Sequence, residues 1–236
     1  MTFSMPIDES RRHLHTTGFV LLRGCEFTDG RTVDRGAVGD LMSVFGKISA
    51  RDGGTAIWPV RPATTDVHAT FSVRAGAAEW HTDAAYRDVP EDLVALLCVR
   101  PAADGGVSRL LHQRHARTGL DADVVTALRQ PSFSWRPPAV FGGGSIRQFP
   151  VLASDTVRWR WDNLEVARPH NAVAASFREH LAAASGALDL PLQAGDVLVF
   201  DNRRVLHSRT AFTDPRRHLL RVRLWTRAET RAGEQR

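Results

Sequence analysis

The chain of 236 residues lacks any long apolar segment. A membrane-spanning helix needs about 20 consecutive apolar residues, and no stretch of this sequence approaches that length. The first ten residues also lack the basic start and the apolar core that define a secretory signal peptide. The sequence therefore predicts a cytoplasmic protein with no membrane partner.

Lysine and cysteine are scarce. Lys47 is the only lysine, so the net charge of +5 comes almost wholly from arginine. These arginines are scattered, whereas a nucleic-acid site would cluster cations on one face with aromatic residues among them, so we expect no nucleic-acid partner. Cys25 and Cys98 lack C-x-x-C spacing, and we expect both to be reduced, buried thiols.

What the sequence does contain is a metal-binding pattern at Trp80, His81, Thr82 and Asp83. If this segment is extended, its period of two directs His81 and Asp83 to one face, where they can bind one cation. His207, 124 residues after Asp83, is the best candidate for a third ligand. Two histidines and one carboxylate form the facial triad of non-haem Fe(II) oxygenases, which leaves positions open for co-substrates. The alternative is a hydrogen-bonded surface pair at 81 and 83 and a core histidine at 207.

Helical and strand patterns indicate the fold class. Short strands separated by turn signals dominate, and the helices concentrate near the start and in one late insertion. This distribution is typical of a mainly β sandwich or barrel flanked by helices, here as one domain over residues 1–236. Residues 49–79 are predicted to form a mobile active-site loop and 228–236 a polar tail. Helices are expected at 8–17, 35–45, 117–128 and 172–185, and strands at 19–24, 92–99, 107–111, 157–162 and 218–225.

These patterns resemble those of one family. Residues 18–24, 80–83, 195–212 and 217–221 are similar to the Fe(II)/2-oxoglutarate-dependent dioxygenases of the taurine dioxygenase (TauD/TfdA) and clavaminate synthase-like group. The resemblance implies a double-stranded β-helix, also called a jelly roll or cupin-like fold. It also implies that His81, Asp83 and His207 are the metal ligands. Because a carboxylate occupies position 83, oxygenation is favoured over halogenation.

The resemblance further implies a binding site for 2-oxoglutarate. Arg217 and Arg221 match an R-x-x-x-R pattern after the distal histidine, and planar arginine suits a carboxylate. We assign Arg217 to the distal carboxylate and Arg221 to the keto-acid end or the substrate, with exchanged roles as the alternative. Ser108 occupies the position of a hydroxyl residue, usually threonine, that hydrogen-bonds 2-oxoglutarate. Arg209 is expected to form a structural ion pair.

The expected reaction is hydroxylation of an unactivated C–H bond, with O₂ as co-substrate and succinate and CO₂ as co-products. Charges of both signs near the metal strand predict a small polar substrate with a carboxylate, such as a free or carrier-tethered amino acid in specialised metabolism. The same cofactors could instead give desaturation or cyclisation. Alternatives of a different class are a zinc-dependent hydrolase and a non-catalytic jelly-roll binding module. The candidate substrate-binding residues are Arg74, Tyr86, Arg158, Arg160 and Asp162.

Overall fold

The structure is a computed structural model that describes residues 6–51, 53–66, 69–138 and 147–226. Its helices are α1 (Ile7–Thr17), α2 (Arg35–Ser43), α3 (Gln113–Arg117), α4 (Ala122–Leu128) and α5 (Arg168–Ala183), and a 3-10 turn covers Phe71–Val73. Its strands are β1 (Phe19–Leu22), β2 (Lys47–Ile48), β3 (Trp58–Val60), β4 (Ala78–His81), β5 (Leu93–Arg100), β6 (Ser108–His112), β7 (Phe133–Trp135), β8 (Leu164–Val166), β9 (Leu188–Leu190), β10 (Val197–Asp201), β11 (Val205–Arg209) and β12 (His218–Trp225). No helix in these ranges is long and apolar enough to cross a membrane.

The larger sheet has six strands in the order β1-β10-β5-β12-β2, with β3 also paired to β12, and every pair is antiparallel. Alternation along β5 and β12 divides their side chains between two faces. One face, with Leu97 and Val222, packs against α1 and α2. The other face, with Val94 and Leu219, packs towards the second sheet. Because both of its faces are covered, β5 is apolar from Leu93 to Val99, whereas β12 carries two arginines among its apolar residues.

The smaller sheet has four antiparallel strands in the order β4-β11-β6-β9. Its outer face packs against α4 and α5, where Phe177 meets Trp159 edge-on at 4.9 Å between ring centroids. Its inner face shares an apolar cluster with the larger sheet, in which Leu110 packs with Phe200. Two antiparallel sheets packed face to face, with helices outside them, form a double-stranded β-helix. The predicted fold class is confirmed.

Some elements differ from those expected. The helix expected at 117–128 begins only at Ala122, because residues 113–117 form the separate helix α3 and Gly119 then turns the chain with a φ of +81°. The strand expected at 157–162 does not form. Val157 makes an isolated bridge to Leu152, and residues 158–162 have irregular backbone. Residues 228–236 lie outside the described residues, and the mobility of 49–79 stays a prediction.

Candidate active site

Three side chains converge at the end of β4. His81 pairs directly with His207 on β11, and their ring centroids are 4.0 Å apart. Asp83 lies in the turn that follows β4, not on the strand as expected. Its Oδ1 is 3.9 Å from His81 Nε2 and 3.7 Å from His207 Nε2. One ligand atom from each residue therefore lies within 4.8 Å of the others, in a buried group that we call the metal cluster.

The two histidines direct their Nε2 atoms towards Asp83. His81 Nδ1 is 2.8 Å from the carbonyl oxygen of Glu79. When Nδ1 carries the proton and donates to this carbonyl, Nε2 keeps its lone pair for a metal, as is typical of metal-binding histidines. The ring of His207 packs at 4.7 Å from the ring of Phe200. The donor set of two imidazole nitrogens and one carboxylate oxygen fits Fe(II).

Burial determines the protonation of the metal cluster. Loss of solvent lowers the pKa of His81 well below its usual value, and His207 and Arg160 lower it further. Burial also lowers the pKa of His207 to about 4, although the Asp83 carboxylate opposes this shift. For Asp83, burial raises the pKa, but the charges of Arg221, His207 and Arg160 outweigh it and the pKa is lowered. Two neutral imidazoles and a carboxylate therefore face one another at neutral pH, as metal binding requires.

Arg221 lies beside the metal cluster. Its Nη1 is 3.1 Å from Asp83 Oδ2, whereas both histidines approach Oδ1. The two oxygens of this carboxylate therefore have different neighbours. Oδ1 faces the histidines, and Oδ2 faces a cation on β12. A carboxylate held in this way presents one oxygen to a metal ion.

Arg217 forms a second buried cationic site, just before β12. The residue is 3% exposed, its Nη2 donates to the Gly106 carbonyl oxygen at 3.3 Å, and its guanidinium lies 5.0 Å from the centre of the Phe212 ring. Its Nη1 is buried and has no hydrogen-bond partner among the described residues. Burial lowers the pKa of Arg217 to about 10, so the group is still a cation at neutral pH. A bound anion would satisfy this donor.

Ser108 shares a face of the smaller sheet with His207. In the pairing of β6 with β11, Ser108 lies opposite Arg209, and Leu110 lies opposite His207. Directly paired residues of antiparallel strands point to the same side, so the buried Ser108 side chain lies on the inner face that carries the histidine. The serine hydroxyl is therefore on the side of the sheet where a ligand of the metal would bind.

Among the candidate substrate residues, Arg160 lies near the metal cluster and pairs with Asp162. Arg160 donates to both carboxylate oxygens of Asp162, at 2.6 and 2.9 Å, and its charge acts on all three cluster residues. The guanidinium of Arg160 lies 4.8 Å from the ring centre of Phe71, which itself is 4.9 Å from the His81 ring. Arg74 lies 4.6 Å from the same Phe71 ring. Phe71, which no sequence pattern identified, connects these arginines to the cluster.

Tyr86 and Arg158 have different surroundings. Tyr86 lies in the turn after Asp83, and burial raises its pKa against the opposing effect of Arg87, with the Asp83 charge adding to the rise. Arg158 supports that turn from outside, since it donates to three of its carbonyl oxygens at 2.6–3.0 Å, those of Ala85, Arg87 and Asp88. These bonds give Arg158 a structural role and do not bring it to the metal cluster. Arg158 and Arg160 diverge because residues 157–162 do not form the expected strand.

Arg209 also differs from its expected role. It forms no ion pair with the described residues, and its guanidinium makes four hydrogen bonds of 2.9–3.2 Å to the carbonyl oxygens of Phe71, Arg74 and Gly76. Arg209 therefore anchors the segment that carries Phe71. Sequence patterns cannot identify these partners, because every residue has a backbone carbonyl group.

The jelly roll and the buried group of two histidines and one carboxylate fit a non-haem iron oxygenase. A family model described as taurine catabolism dioxygenase TauD, TfdA family matches residues 4–223. The chain belongs to this family and is an Fe(II)/2-oxoglutarate-dependent dioxygenase. A search of curated proteins finds no match.

Solved structures with the same fold include oxygenases bound to amino acids. Asparagine oxygenase, in complex with Fe(II), 2S,3S-3-hydroxyasparagine and succinate, superposes with a TM-score of 0.76 at 23% identity, over 93% of this chain and 78% of that one. The non-heme iron oxygenase OrfP, in complex with Fe, succinate and (3S)-hydroxy-L-Arg, gives 0.73 at 19% identity, over 97% and 83%. OrfP with Fe and alpha-ketoglutaric acid gives 0.73 at 18% identity, over 96% and 82%. At these identities the similarity shows the fold.

Proposed function

We propose that His81, Asp83 and His207 bind the Fe(II) ion and that Arg217 binds the distal carboxylate of 2-oxoglutarate. The observation that carries this proposal is the buried Nη1 of Arg217, which has no hydrogen-bond partner among the described residues. A buried cation without a carboxylate is costly, and a dicarboxylate bound there would offset that cost. Ser108 then donates its hydroxyl to the keto acid, and Arg221 contacts either the keto-acid end or the substrate. Exchange of the two arginine roles is the alternative assignment.

The protein's own groups provide binding, orientation and exclusion of water. When bound, Fe(II) and 2-oxoglutarate supply, with O₂, the oxidising power to remove hydrogen from an unactivated C–H bond. The two neutral imidazoles of His81 and His207 and the Asp83 carboxylate would hold the ion. Arg217 orients the co-substrate by its fixed charge. Phe71 and the cluster residues are at most 8% exposed, so bulk water has little access to the reacting centre.

We further propose that the substrate is an amino acid or an amino-acid-like compound, free or carrier-tethered, and that the reaction is hydroxylation. Arg160, whose charge acts on the metal cluster, and its partner Asp162 offer a cation for a carboxylate and an anion for an ammonium group. Asparagine oxygenase and OrfP support this substrate class, since both are described with hydroxylated amino acids. Arg74 and Tyr86 are further candidate contacts. We also propose a cytoplasmic location.

The cofactor sites are tested by an anaerobic titration of the metal-free protein with Fe(II) and then with 2-oxoglutarate. The chelate of the two has a weak visible charge-transfer band. We expect this band in the wild type and its loss in His81→Ala and Arg217→Ala. Arg109→Ala is the matched control, because this half-exposed arginine of β6 pairs with Asp189 away from the cluster. Metal binding without the band would contradict the 2-oxoglutarate site and favour a zinc-dependent hydrolase or a binding module.

The substrate class is tested by a screen of amino acids for succinate formation under O₂. Mass spectrometry of the product distinguishes hydroxylation, which adds an oxygen atom, from desaturation or cyclisation, which removes two hydrogens. We expect Arg160→Ala to raise KM for the substrate while leaving the Fe(II)/2-oxoglutarate band in place. Full turnover at wild-type KM by this variant would remove Arg160 from the substrate site.

A further inference from the structure

Asn202 lies in the turn between β10 and β11 and contacts the backbone of the metal cluster. The residue is 1% exposed. Its Oδ1 accepts a hydrogen bond from the Asp83 amide at 2.7 Å, and its Nδ2 donates to the Asp83 carbonyl oxygen at 3.0 Å. The same Nδ2 donates to the Glu91 carbonyl oxygen at 3.1 Å. One side chain therefore binds both polar groups of the Asp83 backbone and also the far end of the turn.

The turn between Asp83 and Glu91 is held at both ends. On its far side, the buried Glu91 carboxylate accepts from Ser49 at 2.7 Å and from Arg51 at 3.1 Å. Through its hydrogen bonds to both residues, Asn202 connects the backbone of Glu91 to the backbone of Asp83. The backbone of Asp83 therefore cannot shift without breaking hydrogen bonds that are buried from water.

Backbone strain follows directly after Asp83. Ala84 has a φ of +56°, in the left-handed region that residues with a Cβ seldom adopt. Such a conformation is strained and persists only where surrounding contacts impose it. The hydrogen bonds from Asn202 to the preceding residue are contacts of this kind. Without them, the turn would be expected to relax and to rotate the Asp83 carboxylate away from the histidines.

We propose that Asn202 is a positioning residue of the metal site: its carboxamide fixes the backbone of Asp83 so that Oδ1 faces both histidine Nε2 atoms. This inference rests on the proposed metal ligands and goes beyond them. Since Asn202 and His207 are five residues apart, the same β10–β11 segment places one histidine ligand and orients the carboxylate ligand. The amide also fits this task better than a carboxylate, because the site needs one acceptor and two donors.

The test measures Co(II) binding to the metal-free protein without 2-oxoglutarate or substrate. Asn202→Ala removes all three hydrogen bonds, and Asn202→Asp keeps the volume but replaces the donor by an oxygen that faces two carbonyl groups. We expect both variants to bind Co(II) about 10- to 100-fold more weakly, the usual effect of losing a residue that orients a metal ligand. We also expect the visible d–d bands at saturating Co(II) to change, since they report ligand geometry.

Asp201→Asn is the matched control. Asp201 is the last residue of β10 and directly precedes Asn202, but its carboxylate accepts from the amides of Arg203 and Arg204 at 2.8 and 3.0 Å and has no contact with Asp83 among the described bonds. Its Co(II) affinity and spectrum should match those of the wild type. Thermal unfolding of each metal-free variant shows whether the fold is retained.

The outcomes separate the inference from the metal site. Wild-type affinity and an unchanged spectrum in both Asn202 variants would overturn the inference. So would loss of cooperative unfolding in both, which would assign Asn202 to the fold as a whole. No Co(II) binding by the wild type would overturn the proposed metal ligands, and the positioning role with them.

Discussion

Arg209 and Arg217 are two buried arginines that pack against one phenylalanine, Phe212. The guanidinium of Arg209 lies 4.8 Å from the Phe212 ring centre, and that of Arg217 lies 5.0 Å from it. Both are at most 8% exposed, and burial lowers both pKa values, to about 9 for Arg209 and about 10 for Arg217. Their hydrogen bonds differ. Arg209 makes four bonds to backbone carbonyls, whereas Arg217 makes one and keeps a buried donor without a partner in the described parts of the chain.

The difference separates support of the fold from readiness to bind a ligand. A guanidinium whose three nitrogens all donate to carbonyls is satisfied by the folded chain and stabilises the segment it contacts. A guanidinium with an unused buried donor reduces the stability of the ligand-free protein and regains that free energy when an anion binds. Arg209 and Arg217 therefore have similar burial and the same aromatic neighbour but different roles. Their hydrogen bonds distinguish the arginine that supports the fold from the one that is ready to bind a ligand.

The largest expected effect is on 2-oxoglutarate binding by Arg217→Ala. Loss of a buried charged partner costs about 2–5 kcal/mol, which weakens binding roughly 30-fold to several thousand-fold. The melting temperature of the ligand-free protein should stay the same or rise, because a buried cation is removed. Anaerobic titration of the Fe(II)-loaded protein with 2-oxoglutarate measures the first quantity, and calorimetry without ligands measures the second.

Arg217→Lys tests whether charge alone explains the effect. Lysine keeps the charge but loses the planar fork, so we expect an affinity between those of the wild type and the alanine variant. Wild-type affinity in Arg217→Ala would show that the comparison between the two arginines is wrong.

Arg209→Ala should have the opposite profile. It leaves the carbonyl groups of Phe71, Arg74 and Gly76 without their donor, and each such loss costs about 1–3 kcal/mol, partly offset by removal of a buried charge. We expect a net loss of about 2–4 kcal/mol in the free energy of unfolding, measured with urea. The affinity for 2-oxoglutarate, at temperatures where the variant is folded, should change far less than in Arg217→Ala. If Arg209→Ala and Arg217→Ala lose 2-oxoglutarate affinity equally, the two arginines do not have different roles.

Gly106→Ala tests the position of the Arg217 guanidinium, because it displaces this group without removing it. Gly106 has a φ of +64°, and a Cβ there would lie 2.9 Å from Arg217 Nε. The added methyl group should displace the guanidinium and weaken 2-oxoglutarate binding by about tenfold, equivalent to about 1.4 kcal/mol. Gly24→Ala is the control, because Gly24 has a φ of +63° but open space around the added carbon. Both variants should lose about 1 kcal/mol of stability from the strained backbone, but only the first should lose affinity.

The same residues show how far a sequence leads in this fold. His81, Asp83, His207, Arg217 and Ser108 could be named in advance because their types and order match a family pattern. The bounds of β12 agree with expectation, and its apolar residues pack on both faces of the larger sheet.

What could not be predicted depends on partners that sequence patterns do not reveal. The role of Arg209 depends on three carbonyl groups, and that of Asn202 on the backbone of a turn 119 residues away. Phe71 lies against His81 because Arg209 holds the backbone of residues 71–76 in place. A strand at 157–162 would place Arg158 and Arg160 on one face, but the backbone at 158–162 is irregular and the two arginines have different contacts.

The smallest expected effect is that of Ser108→Ala, which tests whether the inner face of β6 contributes a hydroxyl to the ligand. Loss of one neutral hydrogen bond costs about 0.5–1.5 kcal/mol, so 2-oxoglutarate affinity should fall roughly two- to tenfold. Ser108→Thr should retain the affinity. Ser208→Ala is the control, because Ser208 is also buried but lies one residue from His207 and therefore points to the opposite face of the sheet. If both alanine variants bind 2-oxoglutarate as the wild type does, the Ser108 hydroxyl does not contribute to binding. The keto acid is then held by the metal and by Arg217, through the donor that Arg209 lacks.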